Sequence, residues 1–343
     1  MSKPYLQHNG KAIETGGKFK HVMAIALDPT SDYKEGIVRC ITERVGDVEV
    51  SGYVDRSEIR KIKGDSLESF SIGERLNFVR ADEVIASLST EGSEFIGFED
   101  PDIFVDESSL VHVYFTLPFL DKSKKHTIVH LGHAVGNDLD SLEMTAPALL
   151  ADPKTHEGAK EISIAPLNSR GIRLNLFESS KREKDRTYST VRIAIAENMG
   201  KPWKAGEIVF HPKEHQISWI GGHASPGPLL PRSFIDMGEN KLLGIMNGRE
   251  ANKKVGDKTK YGMFSVGLFI YDYEKGKIDW VSPEPLIRDT EARTITFASQ
   301  FVETKPGEGI LYAHVDDSFV RAYALYADGL KELLPNHFKF PLK

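Results

Sequence analysis

With 343 residues, 40% hydrophobic and 27% charged, the chain has a normal soluble composition and enough apolar material for one large domain or two ordinary ones. A formal net charge of −6 without a long basic tract argues against a nucleic-acid partner. No apolar run approaches membrane-spanning length. The single cysteine, Cys40, rules out an intrachain disulfide framework and fits a reducing compartment. Met1-Ser2-Lys3-Pro4-Tyr5 has no apolar signal core, so a cytoplasmic protein is expected.

Short runs rich in β-branched residues dominate from the start. His21 to Leu27 reads as a strand, Asp28-Pro29-Thr30 as a turn, and Gly36 to Thr42 and Val48 to Val54 as further strands. Cys40 lies within the second of these, which fits a structural thiol. Lys122 to Lys125 and Lys181 to Lys184 read as solvated loops. A helical period is hard to find: Ala86 to Gly97 has no sustained apolar stripe, and the best candidate is Asp328 to Leu334.

One arrangement recurs: a polar or proline-marked segment enters a strand, a turn follows, and a second strand returns. It is seen at Glu99 to Phe104 before Leu110 to Thr116, and at Lys160 to Pro166 before Ile172 to Phe177. It returns at His223 to Leu229 before Lys241 to Met246, and at Thr296 to Phe301 before Ile310 to Ala313. With Asp28-Pro29 this makes five units, spaced by roughly 60–75 residues, each long enough for four strands. The expected fold is therefore all-β, a five-bladed β-propeller. The alternative is a β-sandwich followed by a second all-β domain. No low-complexity linker divides the halves, so residues 1–343 are expected to form a single domain. In a propeller the polar head of each unit faces one shared axial pocket.

Phe98-Glu99-Asp100-Pro101-Asp102-Ile103-Phe104 is the most unusual of these heads. Pro101 fixes its own φ and pushes Asp100 out of the helical region. Three acids in four residues repel one another, which can raise one carboxyl pKa toward the working range of a proton donor. The histidines show no metal-binding spacing, and dinucleotide and P-loop signatures are absent, so neither a metal nor a cofactor is expected.

Taken in order, these segments resemble glycoside hydrolase family 130, the five-bladed propeller family of β-mannoside phosphorylases and β-mannosidases. Phe98 to Pro101 resembles its E-D-P signature, Lys160 to Pro166 its K-D-x-x-L-F-P segment, and Ala224 to Leu229 its glycine- and proline-rich segment. Leu311 to Ser318 is similar to its Y-Y-G-A-A-D-T segment, and Arg44 follows the first-blade strand as the family's sugar-site arginine does. The resemblance implies that Asp100 is the catalytic acid, acting through a sugar hydroxyl. It also implies a pocket aspartate at Asp317, or at Asp316 by a gap-free count.

The chain departs from the family where phosphate would bind. Asp102 stands in place of an arginine, Gly221, Gly222 and His223 in place of a lysine, and Met246-Asn247-Gly248 in place of Y-H-G. Cleaving a glycosidic bond needs a proton donor and an attacking group. Asp100 is the expected donor, and Glu161 or Glu99 the expected base if water attacks. Arg44, Asp102, Lys160, His223, Asn247, Arg249 and Asp317 are the expected substrate-binding residues. The reading is an enzyme cleaving β-mannosidic or related linkages, with hydrolysis slightly favoured. Phosphorolysis, with inorganic phosphate as co-substrate, is the alternative. A non-catalytic carbohydrate-binding propeller is the rival from another class, and arabinose- or xylose-containing chains are a third option. The expected partner is an oligosaccharide or glycoside, with neither nucleic acid nor membrane, and the sequence leaves open whether the chain is a homo-oligomer.

Overall fold

A computed structural model describes residues 4–50, 52–121, 126–152, 157–183 and 186–339. The basic run Lys122 to Lys125 and Lys184 lie outside the described residues. The protein is nearly all β, 56% strand against 8% helix, as the sequence suggests.

Strand β1 (Leu6–Ile13) waits for a partner from the far end of the chain. A first antiparallel meander runs through β2 (His21–Leu27), β3 (Glu35–Val45), β4 (Val54–Ser66) and β5 (Ser69–Arg75). In the second, β6 (Ser93–Phe95) and β7 (Glu99–Val105) pair with successive stretches of β8 (Val111–Asp121), followed by β9 (His126–Gly136) and β10 (Glu143–Met144). The third comprises β11 (Lys160–Ser163), β12 (Arg173–Glu183), β13 (Arg186–Ala196) and β14 (Lys204–Phe210). The fourth runs β15 (His223–Leu229), β16 (Lys241–Arg249), then past the small hairpin β17 (Lys253–Val255) and β18 (Lys258–Lys260) to β19 (Phe264–Asp272) and β20 (Lys277–Val281). The fifth, β21 (Thr296–Lys305), β22 (Glu308–Val315) and β23 (Phe319–Tyr326), is completed by β1, which pairs antiparallel with β23. The first strands touch in sequence: β2 meets β7, β7 meets β11, β11 meets β15, β15 meets β21, and β21 returns to β2.

Each first strand carries a register shift against its neighbour. The shifts fall between Met23 and Ile25, Glu99 and Asp102, Lys160 and Ile162, Pro226 and Leu229, and Ala298 and Gln300. A bulge of this kind bends a strand and re-aims one side chain. Ala24, Asp100 and Glu161 occupy these steps in the left-handed region, at φ 50°, 43° and 45°. For non-glycine residues that costs about 1–3 kcal/mol each. The second strands are buried on both faces: Val111, Val113, Phe115 and Leu117 of β8 pack in one core cluster with Ile37 and Ile59. Leu243 and Ile245 of β16 do the same with Leu311 and Tyr323.

Three local expectations need correction. Of the expected strand Val48 to Val54, residues 48–50 form a turn, because Asp47 accepts the backbone N–H groups of Glu49 and Val50. Ser51 lies outside the described residues, and Val54 opens β4. Lys181 to Glu183 continue β12 in register with Arg186 to Tyr188 rather than forming a loop. Helix α1 (Ala81–Leu88) lay outside the expected elements. It buries only Val84 fully, too short a stripe to stand out as periodicity. Helix α2 (Ala327–Leu333) lies one residue from its expected place, and α3 (Asn336–Lys339) follows it. Among the described residues no helix is long and apolar enough to cross a membrane. Cys40 is buried and free, its thiol pushed up to about 12 by burial.

Candidate active site

The bulged first strands converge on a cavity of about 300 Å³ lined by Arg39, Glu99, Asp100, Lys160, Glu161 and Asp317 among others. Most of the lining charges are supplied by strands, Asp317 by the turn between β22 and β23, and most are held by a second charge.

Arg39 of β3 organises the acidic head of β7. It donates from Nη1 to Asp100 Oδ1 at 2.9 Å, from Nη2 to Glu99 Oε1 at 2.5 Å, and from Nε to Ser57 Oγ at 3.1 Å. Both carboxyls are buried, and burial opposes ionisation of each. Asp100 nevertheless sits below its ordinary pKa, because Arg39 and Lys160 outweigh its desolvation. Glu99 goes the other way, pushed up to about 7 by burial, with Asp100 adding to the rise against Arg39.

Glu161 of β11 is the second focus. Ser225 Oγ donates to its Oε2 at 2.6 Å, and Lys160 Nζ stands 3.6 Å from its Oε1. Burial and the neighbouring Glu178 push Glu161 up to about 8 against the pull of Lys160. Glu178 of β12 is itself fully buried, 3.4 Å from Lys160 Nζ, and accepts from His223 Nε2 at 2.9 Å. Burial lowers the His223 pKa, so its ring is a neutral donor.

The third cluster joins the first unit to the last. Arg44 donates to both oxygens of Asp55 at 2.6 Å and to Asp317 Oδ2 at 3.1 Å. The Ala24 N–H donates to His314 Nδ1 at 3.3 Å, which puts the ring proton on Nε2, 3.3 Å from Asp317 Oδ1. Burial pushes Asp317 up to about 6 and lowers His314 to about 4. Six carboxyls (Asp55, Glu99, Asp100, Glu161, Glu178 and Asp317) thus face three paired cations (Arg39, Arg44 and Lys160). Burial favours the protonated form of Glu161, which offsets part of the difference.

Most of the expected site residues meet here. Glu99, Asp100, Lys160, Glu161, His223 and Asp317 line the cavity, and Arg44 braces Asp317 from behind. Arg249 lies next door, in a contiguous cavity of about 260 Å³ that shares Tyr53, Lys160, His223, Tyr261 and Phe264 with the first. Asp316, the competitor of Asp317, points elsewhere: its carboxylate accepts the backbone N–H groups of Arg293, Thr294 and Ile295.

Two expected residues stand apart from the main cavity. Asn247 is fully buried and its amide clasps Ala298, donating to its carbonyl at 2.9 Å and accepting from its N–H at 2.8 Å. With both amide atoms engaged across the β16–β21 boundary, it does not face a substrate. Asp102 falls on the far side of the β7 bulge, in a pocket of about 40 Å³ behind Asp100 and Glu161, where burial pushes its carboxyl up to about 7.

Sequence reasoning overlooked Arg39, Asp55, Glu178 and His314, and the aromatic wall of Tyr53, Tyr261, Phe264 and Phe297. A signal existed for three of them. Arg39 and His314 each interrupt an apolar run and Glu178 ends one, and a charge in a fully buried strand needs a partner. Glu161, Glu178 and His223 offer ligand atoms within 4.8 Å of one another, a trio able to hold a metal ion. Lys160 already supplies a cation to both of these carboxyls.

No protein-family model matches the chain, and no curated protein sequence matches it. Solved structures do share its fold. A β-1,2-mannobiose phosphorylase from Listeria innocua, solved with β-1,2-mannobiose, superposes with a TM-score of 0.61 at 13% identity, covering 96% of this chain and 94% of that one. A glycosyl hydrolase from Bacteroides ovatus gives 0.59 at 15% identity over 90% and 86%. A mannose phosphorylase from Leishmania mexicana, in complex with phosphate ion, gives 0.55 at 13% identity over 98% and 94%. The chain therefore shares its fold with these mannoside phosphorylases and this glycosyl hydrolase.

Proposed function

We propose that this protein is a carbohydrate-active enzyme, a single-domain, closed five-bladed β-propeller that cleaves a β-mannosidic or related glycosidic bond in its axial cavity. The cyclic contacts of the five first strands, and β1 completing the last unit, support the closed form. What supports the functional reading is the placement of two carboxyls at equivalent bulges in unlike surroundings: Arg39 favours the ionised form of Asp100, and burial favours the protonated form of Glu161. Two carboxyls held in opposite protonation states are what glycoside cleavage requires.

The roles are exchanged relative to the sequence expectation. Glu161 is the proton donor: its proton passes to the glycosidic oxygen as the bond from the anomeric carbon to that oxygen breaks. In hydrolysis a water oxygen bonds to the anomeric carbon and gives its proton to Asp100, directly or through a sugar hydroxyl. Asp317, fixed by Arg44 and His314, accepts hydrogen bonds from sugar hydroxyls, and Phe264 and Phe297 offer faces to the ring. The metal-binding trio is not needed for these steps.

Hydrolysis remains the favoured reaction because Arg39, Arg44 and Lys160 are each neutralised by carboxylates. Phosphorolysis is the second reading, and Arg249, which makes no ion pair among the described residues, is what favours it. The test is incubation with a panel of β-mannosides, with and without phosphate. Free mannose in both conditions marks a hydrolase, mannose 1-phosphate only with phosphate marks a phosphorylase, and no product from any glycoside overturns the enzymatic reading.

A further inference from the structure

Beyond the axial cavity, the wall changes from acidic to basic. Arg249 leaves the end of β16 with its guanidinium 4.2 Å from the centre of the Tyr261 ring and 5.1 Å from that of Phe264. Its Nε is buried without a hydrogen-bond partner. A buried donor left unpaired costs about 1–3 kcal/mol, so its retention asks for a partner that the chain does not supply.

Arg249 also borders a groove of about 620 Å³ that continues outward between β13 and the β17–β18 hairpin, where Arg186, Tyr188, Lys254 and Tyr261 join it. Arg186 and Lys254 make no ion pair with any described residue, and among the described residues no carboxylate lines the groove. This is unusual in a chain of net charge −6. The groove is continuous with the axial cavity through the space shared by Lys160, His223, Arg249 and Tyr261.

We infer that the groove holds the leaving moiety of the glycoside and that this moiety carries a phosphoryl group seated on Arg249. The inference rests on the enzymatic reading above for the word "leaving", but not for the site itself. A guanidinium presents paired N–H donors that match phosphoryl oxygens, and aromatic faces hold it in place. The same oxyanion chemistry would suit free inorganic phosphate. Size and shape decide for a carried group: the groove extends well past Arg249, far beyond what one tetrahedral anion fills, and its two tyrosines suit a sugar or other cyclic body attached to that anion.

The test is isothermal titration of the whole protein with mannose 6-phosphate, mannose and inorganic phosphate, repeated on Arg249→Gln and Lys254→Gln. Mannose 6-phosphate is expected to bind at least tenfold more tightly than either mannose or inorganic phosphate. Arg249→Gln should weaken that binding by about ten- to a hundredfold, the value of a charge-assisted hydrogen bond. Lys254→Gln, at an exposed position that threatens no fold, should weaken it a few-fold and flatten its salt dependence. Inorganic phosphate binding as tightly as the sugar phosphate, or no loss in either variant, overturns the inference. Arg249-dependent binding in a protein that cleaves no glycoside would uphold the groove and overturn the enzymatic reading alone.

Discussion

Asp100 and Glu161 occupy the same step of two neighbouring units, each the left-handed residue of a bulged first strand, at φ 43° and 45°. The fold thus presents two carboxyls by one device and then treats them differently. Arg39 meets the first at 2.9 Å, whereas the second shares Lys160 with Glu178 and accepts from Ser225. Difference of environment, rather than of residue type, shifts the two carboxyls in opposite directions.

Turnover should carry an alkaline limb set by Glu161. A donor with its pKa raised to about 8 is protonated below that pH and loses its proton above it, so kcat is expected to fall about tenfold per pH unit beyond 8. Glu161→Gln keeps the contact with Ser225 but cannot donate a proton. It should lower kcat by about 10²–10⁴-fold and erase the limb. A pH–rate profile of both proteins checks this, and a Glu161→Gln variant that retains the wild-type limb contradicts it.

Arg39 is expected to be structural as well as functional. Arg39→Met leaves Glu99 and Asp100 buried together without their shared cation, and breaking a buried pair from one side costs about 3–5 kcal/mol. Urea denaturation at pH 7 should show that loss, and much of it should return at acidic pH, where both carboxyls can be protonated. A loss that is the same at pH 7 and pH 4.5 would mean that packing, not charge, is what Arg39 contributes.

Asp102 should make the protein less stable as pH rises. Its folded pKa of about 7 lies above the ordinary value of 3.8, so between those values the folded state holds a proton that the unfolded state has released. Stability from this group is complete below about pH 4 and lost by about pH 7. Asp102→Asn, neutral throughout, is therefore expected to match the wild type near pH 4 and to melt at a higher temperature from pH 7 upward. Equal melting temperatures across the range would place the Asp102 carboxyl in contact with water.

Asn247 was expected to touch substrate, and its position calls for a different outcome. Asn247→Ala removes both hydrogen bonds to Ala298 and leaves that backbone unpaired, at a cost of about 1–3 kcal/mol. Thermal denaturation should report the loss while KM stays within about twofold of wild type. A large rise in KM in a protein of unchanged stability would return Asn247 to the binding surface.

The units were legible because proline-marked breaks interrupt the apolar runs: Asp28-Pro29 in the turn after β2, and Glu99-Asp100-Pro101 and Ser225-Pro226-Gly227 in the heads of β7 and β15. The bulge at these heads was not legible. Pro101 excludes the helical region for Asp100, but only the pairing of Glu99 with Thr116 and of Asp102 with Tyr114 leaves room for a left-handed residue between them. The protonation pattern was hidden for a similar reason. The crowded acids suggest a raised pKa for one carboxyl and the resemblance makes Asp100 the donor, whereas Arg39, sixty-one positions away, helps to lower the Asp100 pKa. Asp102 shares that crowded stretch but sits behind the bulge, since it falls past the step where the strand changes direction.

The most direct test of the central claim is the rate of sugar release from a β-mannoside at pH 6, with phosphate present and absent, by the wild type, Asp100→Asn and Glu161→Gln. The account predicts measurable release by the wild type and at least a hundredfold loss in each variant, with all three proteins equally folded. Release that survives both substitutions, or a wild type that releases nothing from any mannoside, would contradict it.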